Sequence, residues 1–407
     1  MISISTIQLY TEADTIEHVK SLAFNRGATT TGETEALNYI ENALREGNIN
    51  AMVEHFDWIG PMRILMRMCY VFILSYLILF RLFLVIISYF LIKNFFERTR
   101  NITLVNKEES KNIFTKILSK DQTKNRPIVI FTAHYDSISL NLPYKLQVIL
   151  FFIYRLIILF YILVIITFST LFTLDFLNLV PLSNFIIVLI IFTTVVGVFI
   201  SIPILFLVFI ERPSSGSIDN ASGVAILIEL AKIFKKNPLN NMDLLFIWTG
   251  AEEWGMKGSR YYCRNHFEDL NSNYDLDSSY YINIDMVGSY IGLLNKTGFI
   301  IRRKINHDLN YIFETTAKEL RIPLVIFNKI IKLNSDNKMF KRYARRKRSK
   351  LQISCFHSDK DSKFIHSIQD TPDKCSIEIL NGCLNICSQS LRSIDLKLEK
   401  PKLKIIH

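Results

Sequence analysis

Residues 242–267, "MDLLFIWTGAEEWGMKGSRYYCRNHF", run from an apolar stretch through two adjacent glutamates into a segment of helical character. Leu244, Leu245, Phe246, Ile247 and Trp248 form a continuous apolar run of the kind a parallel sheet buries on both faces. Glu252 and Glu253 follow where that strand ends, and "GSRYYCRNHF" reads as the next helix. A Glu-Glu pair on a solvated loop is ordinary, because charged side chains mostly stay exposed. Its meaning here depends on what the rest of the chain places beside it.

The same succession of strand and helix recurs on both sides. "AMVEHFDWI" (51–59), "NITLV" (101–105), "PIVIFTAHYDS" (127–137) and "YYINIDMVG" (280–288) read as strands. Helices are expected over residues 14–47, with an N-cap at Thr31 or Thr34 and a stop at Gly47, and over "DNASGVAILIELAKIFKK" (219–236). "HDLNYIFETTAKEL" (307–320) and "CSIEILNGCLNICSQSLRSI" (375–394) complete the set. Alternating strands and helices predict an α/β fold, a mixed and mostly parallel sheet sandwiched by helices. No internal repeat is visible.

In such a sheet the carboxyl ends of the strands converge on a crevice where chemistry is placed. Four segments put acids or histidine there: His134 and Asp136 in "FTAHYDS", Glu252 and Glu253 in "WTGAEEWG", Asp285 in "INIDMVG", and Asp219 in "SIDNASG" at the mouth of a helix. His366 in "FIHSIQDTPDK" adds an imidazole. Hard oxygen and imidazole donors of this kind suit zinc, cobalt or manganese.

"AHYDS", "DNASGVA", "GAEEWGMKGS", "NIDMVG" and "IHSIQDTPDK" occur in the order of the co-catalytic dizinc aminopeptidases of the aminopeptidase Y and bacterial leucyl aminopeptidase type, which the chain resembles. "RGATTTGETEALNYIENAL" and "NSDNKMFKR" extend the resemblance over roughly 300 residues, the chain outside its apolar blocks. The resemblance implies the zinc exopeptidase fold and two Zn2+ ions, with cobalt or manganese as substitutes. His134 is then a ligand of one metal and His366 of the other, Asp219 bridges both, and Glu253 and Asp285 each complete one shell. Glu252 is the general base for hydrolysis of an N-terminal peptide bond, and Asp136 orients His134 from behind. His357 in "CFHSDKD" competes for the last ligand position, and His366 is preferred because Asp370 and Thr371 follow it. Glutaminyl cyclase and carboxypeptidase relatives share this ligand set, so cyclisation or carboxypeptidase activity is the enzymatic alternative. A catalytically silent, receptor-like membrane protein is the non-enzymatic one.

Half of the 407 residues are hydrophobic, and the excess is concentrated in three blocks. Ile64–Ile92 is broken by Arg67 and Arg81, Gln147–Leu174 by Arg155, and Phe185–Ile210 by no charge. About 20 apolar residues suffice to cross a bilayer. The second and third blocks therefore predict a transmembrane hairpin over 147–210 inserted into the peptidase domain, with its far turn at 175–184. Residues 61–100 are expected to form a re-entrant or interfacial insertion. The peptidase domain then comprises 1–60, 101–146 and 211–407. The basic residues Arg63, Arg67, Lys93, Arg98, Arg100, Lys145 and Arg212 flank the blocks, while 175–184 has none. The expectation is an integral membrane protein with its catalytic domain on the cytoplasmic face.

The first 20 residues lack both a basic start and an apolar stretch and are not expected to act as a cleavable signal peptide. The six cysteines show no CxxC pairing and read as reduced thiols. The net charge of +11, sharpest at "KRYARRKRSK" (341–350), is assigned to anionic headgroups rather than nucleic acid, since no zinc finger or stacking aromatic motif accompanies it. The expected partners are peptide substrates and the lipid bilayer, with no nucleic acid.

Overall fold

The computed structural model describes residues 9–10, 13–58, 108–139, 144–181, 214–298, 301–330 and 335–403, with scattered positions between 183 and 195. Between 144 and 195 side chains are described at only some positions. The chain divides into two compact units: Met1–Phe56, Glu109–Ser139 and Arg212–His407 form one, and Asp57–Glu108 with Leu140–Glu211 the other.

The first unit is built on a nine-stranded mixed sheet. Its strands are β1 (Met52–Trp58), β2 (Glu108–Ile117), β3 (Ile128–His134), β4 (Asp243–Thr249), β5 (Tyr280–Ile284), β6 (Ile291–Thr297), β7 (Arg303–Lys304), β8 (Leu324–Lys329) and β9 (Gln352–Phe356). They run in the order β1-β2-β4-β3-β5-β9-β6-β7, with β8 pairing β6. The centre, β4-β3-β5-β9, is parallel, whereas β2 on β4 and β6 on β9 are antiparallel. In this register His134 stands opposite Thr249, and β5 runs out at Ile284, immediately before Asp285.

Side-chain alternation divides the core between the two faces. Ile128 and Ile130 of β3, Leu245 and Ile247 of β4, Tyr281 and Ile353 share one buried cluster with Tyr262, Phe267 and Leu270 of the helix Lys257–Asn273, and with Met339, Phe340 and Ala344 of the helix Asn337–Arg346. On the other face Phe131 stacks on Phe246 at 5.2 Å between ring centres, and Trp248 donates its indole N–H to Val224 O in the helix Ser222–Lys236. The helices Thr15–Ser21, Thr31–Glu46 and Ile377–Leu403 pack against that helix. This is the α/β sandwich with a mixed central sheet that the sequence predicts.

Particular elements differ from expectation. The helix that begins at Thr31 is capped by Thr30, whose side chain accepts from Glu33 N–H, one residue before the expected cap. Strands β2, β6, β8 and β9 fall in segments without a clear apolar alternation. "NITLV" and the 64–92 block lie outside the described residues, as does most of 185–210.

In the second unit Tyr144–Phe176 is a single helix. It is closed by Asn178 in the left-handed region at φ 53°, which lets Leu179 N–H reach back to Leu174 O. Among the described residues no helix is long and apolar enough to cross a membrane. The expected transmembrane hairpin, the bilayer as a partner and the integral-membrane placement are corrected on this ground. Without a span among the described residues the flanking positive charges have no topology to set, so the cytoplasmic-face assignment falls with it.

Candidate metal centre

Each acid or histidine is delivered by a local backbone device. His134 is the last residue of β3, and its Nδ1 lies 3.1 Å from Asp136 O. Asp219 sits in the irregular turn Ser217–Ala221 that enters the helix Ser222–Lys236, with φ −117° and ψ 88°. That turn is stitched to the β5 exit: Asn220 donates to Ile284 O at 2.9 Å and accepts from Met286 N–H at 3.1 Å, while Ser222 Oγ accepts from Val287 N–H at 3.0 Å. The helix starts against the strand so closely that a Cβ on Gly223 would lie 2.4 Å from Ile284 O.

Glu252 and Glu253 lie in a tight turn in which Gly255 N–H and Met256 N–H both reach Glu252 O. The Asp136 carboxylate accepts from the amides of both glutamates, at 3.0 Å from Glu252 N and 3.2 Å from Glu253 N. Its distance to His134 Nδ1 is 3.6 Å. The expected orientation of His134 by this residue therefore comes from its backbone carbonyl, and its carboxylate positions the glutamate pair.

The five expected ligands converge. Asp219 Oδ1 is 3.0 Å from His134 Nε2, and Asp219 Oδ2 is 3.3 Å from His366 Nε2. Asp285 Oδ1 lies 3.6 Å from His134 Nε2, and Glu253 Oε1 lies 3.2 Å from His366 Nε2. Two sets therefore share one carboxylate: His134 with Asp285, and His366 with Glu253, each facing a different oxygen of Asp219. Candidate ligand atoms of His134, Asp219 and Glu253 all lie within 4.8 Å of one another. His357 is not in this group; its Nδ1 is 3.0 Å from Asp285 O and its Nε2 is 3.3 Å from Lys329 Nζ.

The electrostatics are those of buried carboxylates packed against two imidazoles. Burial works to lower His134 and His366, yet the surrounding carboxylates carry His134 well above its ordinary value and His366 up to about 10. Burial pushes Glu253 up and Glu252 well above the usual carboxylate range. Asp219 is also opposed by burial, but the two imidazoles hold it far below its ordinary value. Glu252 Oε1 is buried with no hydrogen-bond partner. Buried carboxylates at this density repel unless cations or protons intervene. Two imidazoles and three carboxylates are a zinc donor set, and the residues fit a metal centre.

Three residues inside the quoted motifs make contacts that the sequence did not reveal. Asp336, inside the quoted "NSDNKMFKR", is fully buried and accepts from Thr249 Oγ1 at 2.5 Å, and burial raises its carboxyl to about 6. Asp370 accepts from Ile218 N–H at 2.6 Å and from Asp219 N–H at 3.3 Å. Asn220 was visible only as part of a motif string. A short polar residue beside a ligand has no periodicity to mark it, so its partner emerges only in three dimensions.

Residues 201–391 match the family described as peptidase family M28. That segment contains Asp219, Glu252, Glu253, Asp285 and His366, while His134 and Asp136 precede it. Aminopeptidase YwaD of Bacillus subtilis (strain 168) is 32% identical over 104 residues, which cover 25% of this chain and 21% of that relative's length. Among solved structures, the aminopeptidase from Aneurinibacillus sp. strain AM-1 superimposes with a TM-score of 0.55 at 14% identity, covering 94% of this chain and 93% of that one. BSAP, a zinc aminopeptidase from Bacillus subtilis, gives 0.54 at 13% identity, with 96% of each chain covered. Fimbriiglobus ruber glutaminyl cyclase gives 0.55 at 11%, covering 96% of this chain and 97% of the other. These likenesses show a shared fold.

Proposed function

We propose that the chain is a zinc-dependent aminopeptidase that removes residues from the N-termini of peptides. The observation that carries this reading is the division of Asp219 between two imidazoles, each with its own second carboxylate, beside an unpartnered Glu252. His134, Asp219 and Asp285 would hold one ion, and His366, Asp219 and Glu253 a second. The match of residues 201–391 to peptidase family M28 supports the same class. We assign the catalytic body to residues 1–60, 101–146 and 211–407.

Bound zinc supplies Lewis acidity, polarising a peptide carbonyl and lowering the pKa of a water to near neutrality. The remaining work falls to the chain. Glu252 takes a proton from the attacking water at its free Oε1 and returns it to the departing amine. Its backbone is fixed by the Asp136 carboxylate and by the turn amides of Gly255 and Met256, so the carboxyl has little freedom to swing away.

The test is a Glu252→Gln variant assayed on aminoacyl anilides and on peptides with N-terminal glutamine. The expected outcome is a loss of about 10²- to 10⁴-fold in kcat with zinc content unchanged from the parent. Undiminished turnover in the variant would overturn the role of Glu252. Cyclisation of glutamine substrates without release of an amino acid would replace hydrolysis with ring closure as the reaction.

A further inference from the structure

We propose that Arg26 is a positioning residue of the metal centre: its guanidinium grips, through backbone carbonyls alone, the two chain segments that deliver His134 and Asp219, and Asp370 closes on the Asp219 segment from the other side. This rests on the reading of His134 and Asp219 as ligands of one centre.

Arg26 is fully buried. Its Nε donates to Tyr135 O at 2.8 Å, directly after His134. Its Nη1 donates to Ser215 O at 2.7 Å and Phe24 O at 3.2 Å, and to Leu22 O; its Nη2 donates to Gly216 O at 2.8 Å. The backbone joins in, since Arg26 N–H reaches Ser137 Oγ at 2.9 Å and Ser137 N–H reaches Arg26 O at 3.2 Å. One side chain therefore ties the N-terminal segment, the β3 exit and the run into Asp219. Only a planar fork with five donors can serve three segments at once; an ammonium offers three donors from a single point.

Two features show how closely the chain is built around this group. Gly216 has φ +57°, and a Cβ there would lie 2.8 Å from Arg26 Nη2 and 2.6 Å from Ser137 Cβ. Asp370 meets the same loop with both oxygens, on the amides of Ile218 and Asp219, and its own carbonyl accepts from Ser215 Oγ. Because Asp370 follows His366 by four residues, it links the segment of the second imidazole to the segment of the shared carboxylate. Burial works against the charge of Arg26, and the carboxylates of Asp370, Asp136, Asp219 and Glu253 act in its favour. A buried cation is costly to desolvate, and here the carbonyl contacts together with these carboxylates compensate it.

Positioning and simple electrostatics predict opposite signs. Removing a positive charge beside a site for divalent cations should tighten metal binding. Releasing the two ligand segments should loosen it. Zinc affinity is measured by chelator competition on the full chain, together with the visible absorption of the cobalt-substituted protein, for the parent, Arg26→Gln and Arg26→Lys. Positioning predicts that both variants bind zinc about tenfold more weakly or worse, with an altered cobalt spectrum and no rescue by lysine. A folded Arg26→Gln that binds zinc as tightly as the parent or more tightly, or full rescue by lysine, overturns the proposal. Should the Arg26 variants fail to fold, Ser137→Ala and Asp370→Asn loosen the same contacts more gently. Weaker zinc binding in the charge-neutral Ser137→Ala, with the melting midpoint of the metal-free protein little changed, supports the proposal, and unchanged affinity in both variants overturns it. A parent chain that binds no zinc overturns the ligand reading, and the proposal with it.

Discussion

Asp219 has two oxygens, and its place in the site follows from where each one points. A lone aspartate before a helix is usually a cap; here neither oxygen caps, and each faces a different imidazole. Asp136 was expected to serve one neighbour, and its carboxylate also serves two amides. Replacing Asp136 with asparagine turns one acceptor into a donor that must face an N–H, so Glu252 should be misaligned. We expect kcat to fall at least about tenfold with zinc content retained, as measured by steady-state kinetics and metal analysis; a parallel loss of zinc would place the effect on His134. The cysteines are a residue-scale matter too. Cys263, Cys355, Cys375 and Cys387 are buried and free, and burial pushes each thiol up. These four should resist alkylation near pH 8 in the native protein and react after denaturation, as read by peptide mapping.

At the scale of elements, β3, β4 and β5 were legible from their apolar runs, and β1 from the segment 51–59. Strand β2 was not, because it buries Ser110, Asn112 and Thr115. Their partners are Glu33, Gly258 O and Asn50 O, remote in sequence, so the polar atoms are satisfied only after the sheet has formed. The junction of the Asp219 turn with its helix depends on close backbone approach at Gly223. Gly223→Ala should destabilise the protein by about 1–3 kcal/mol, because the added methyl meets Ile284 O. Denaturant unfolding measures this, and an unchanged midpoint would mean the helix can shift without cost.

For the whole molecule, the apolar blocks predicted a membrane anchor that the described residues do not supply, since none of their helices meets the requirement for a span. Metal should contribute to stability of the entire first unit, because its ligands come from segments spread between residues 134 and 366. Chelation should lower the melting midpoint, consistent with about 4 kcal/mol for an ion held at roughly a thousandfold excess over its Kd; an unchanged midpoint would count against a structural share for the ions. The acid response can be traced to the amino end of β4. Burial tends to raise the Asp243 carboxyl, but Arg126, the Ser119 amide and Tyr274 hold it below its ordinary value. A depressed carboxylate contributes stability above its unfolded pKa, about 3.9, and loses that contribution as pH falls through the folded value. Melting midpoints of the metal-free parent and Asp243→Asn should therefore converge as pH falls from about 5 to 3. A gap independent of pH would assign the effect to packing.

The class of the fold and the identity of the residues that meet were legible along the chain, because burial requires apolar periodicity and metal chemistry requires particular donor types, and both are written residue by residue. The tertiary structure decided which oxygen faces which imidazole, and that Arg26, Asn220 and Asp370 make the contacts that hold the loops in place. Those outcomes depend on distances between segments 64 or more residues apart, and no local pattern encodes such distances.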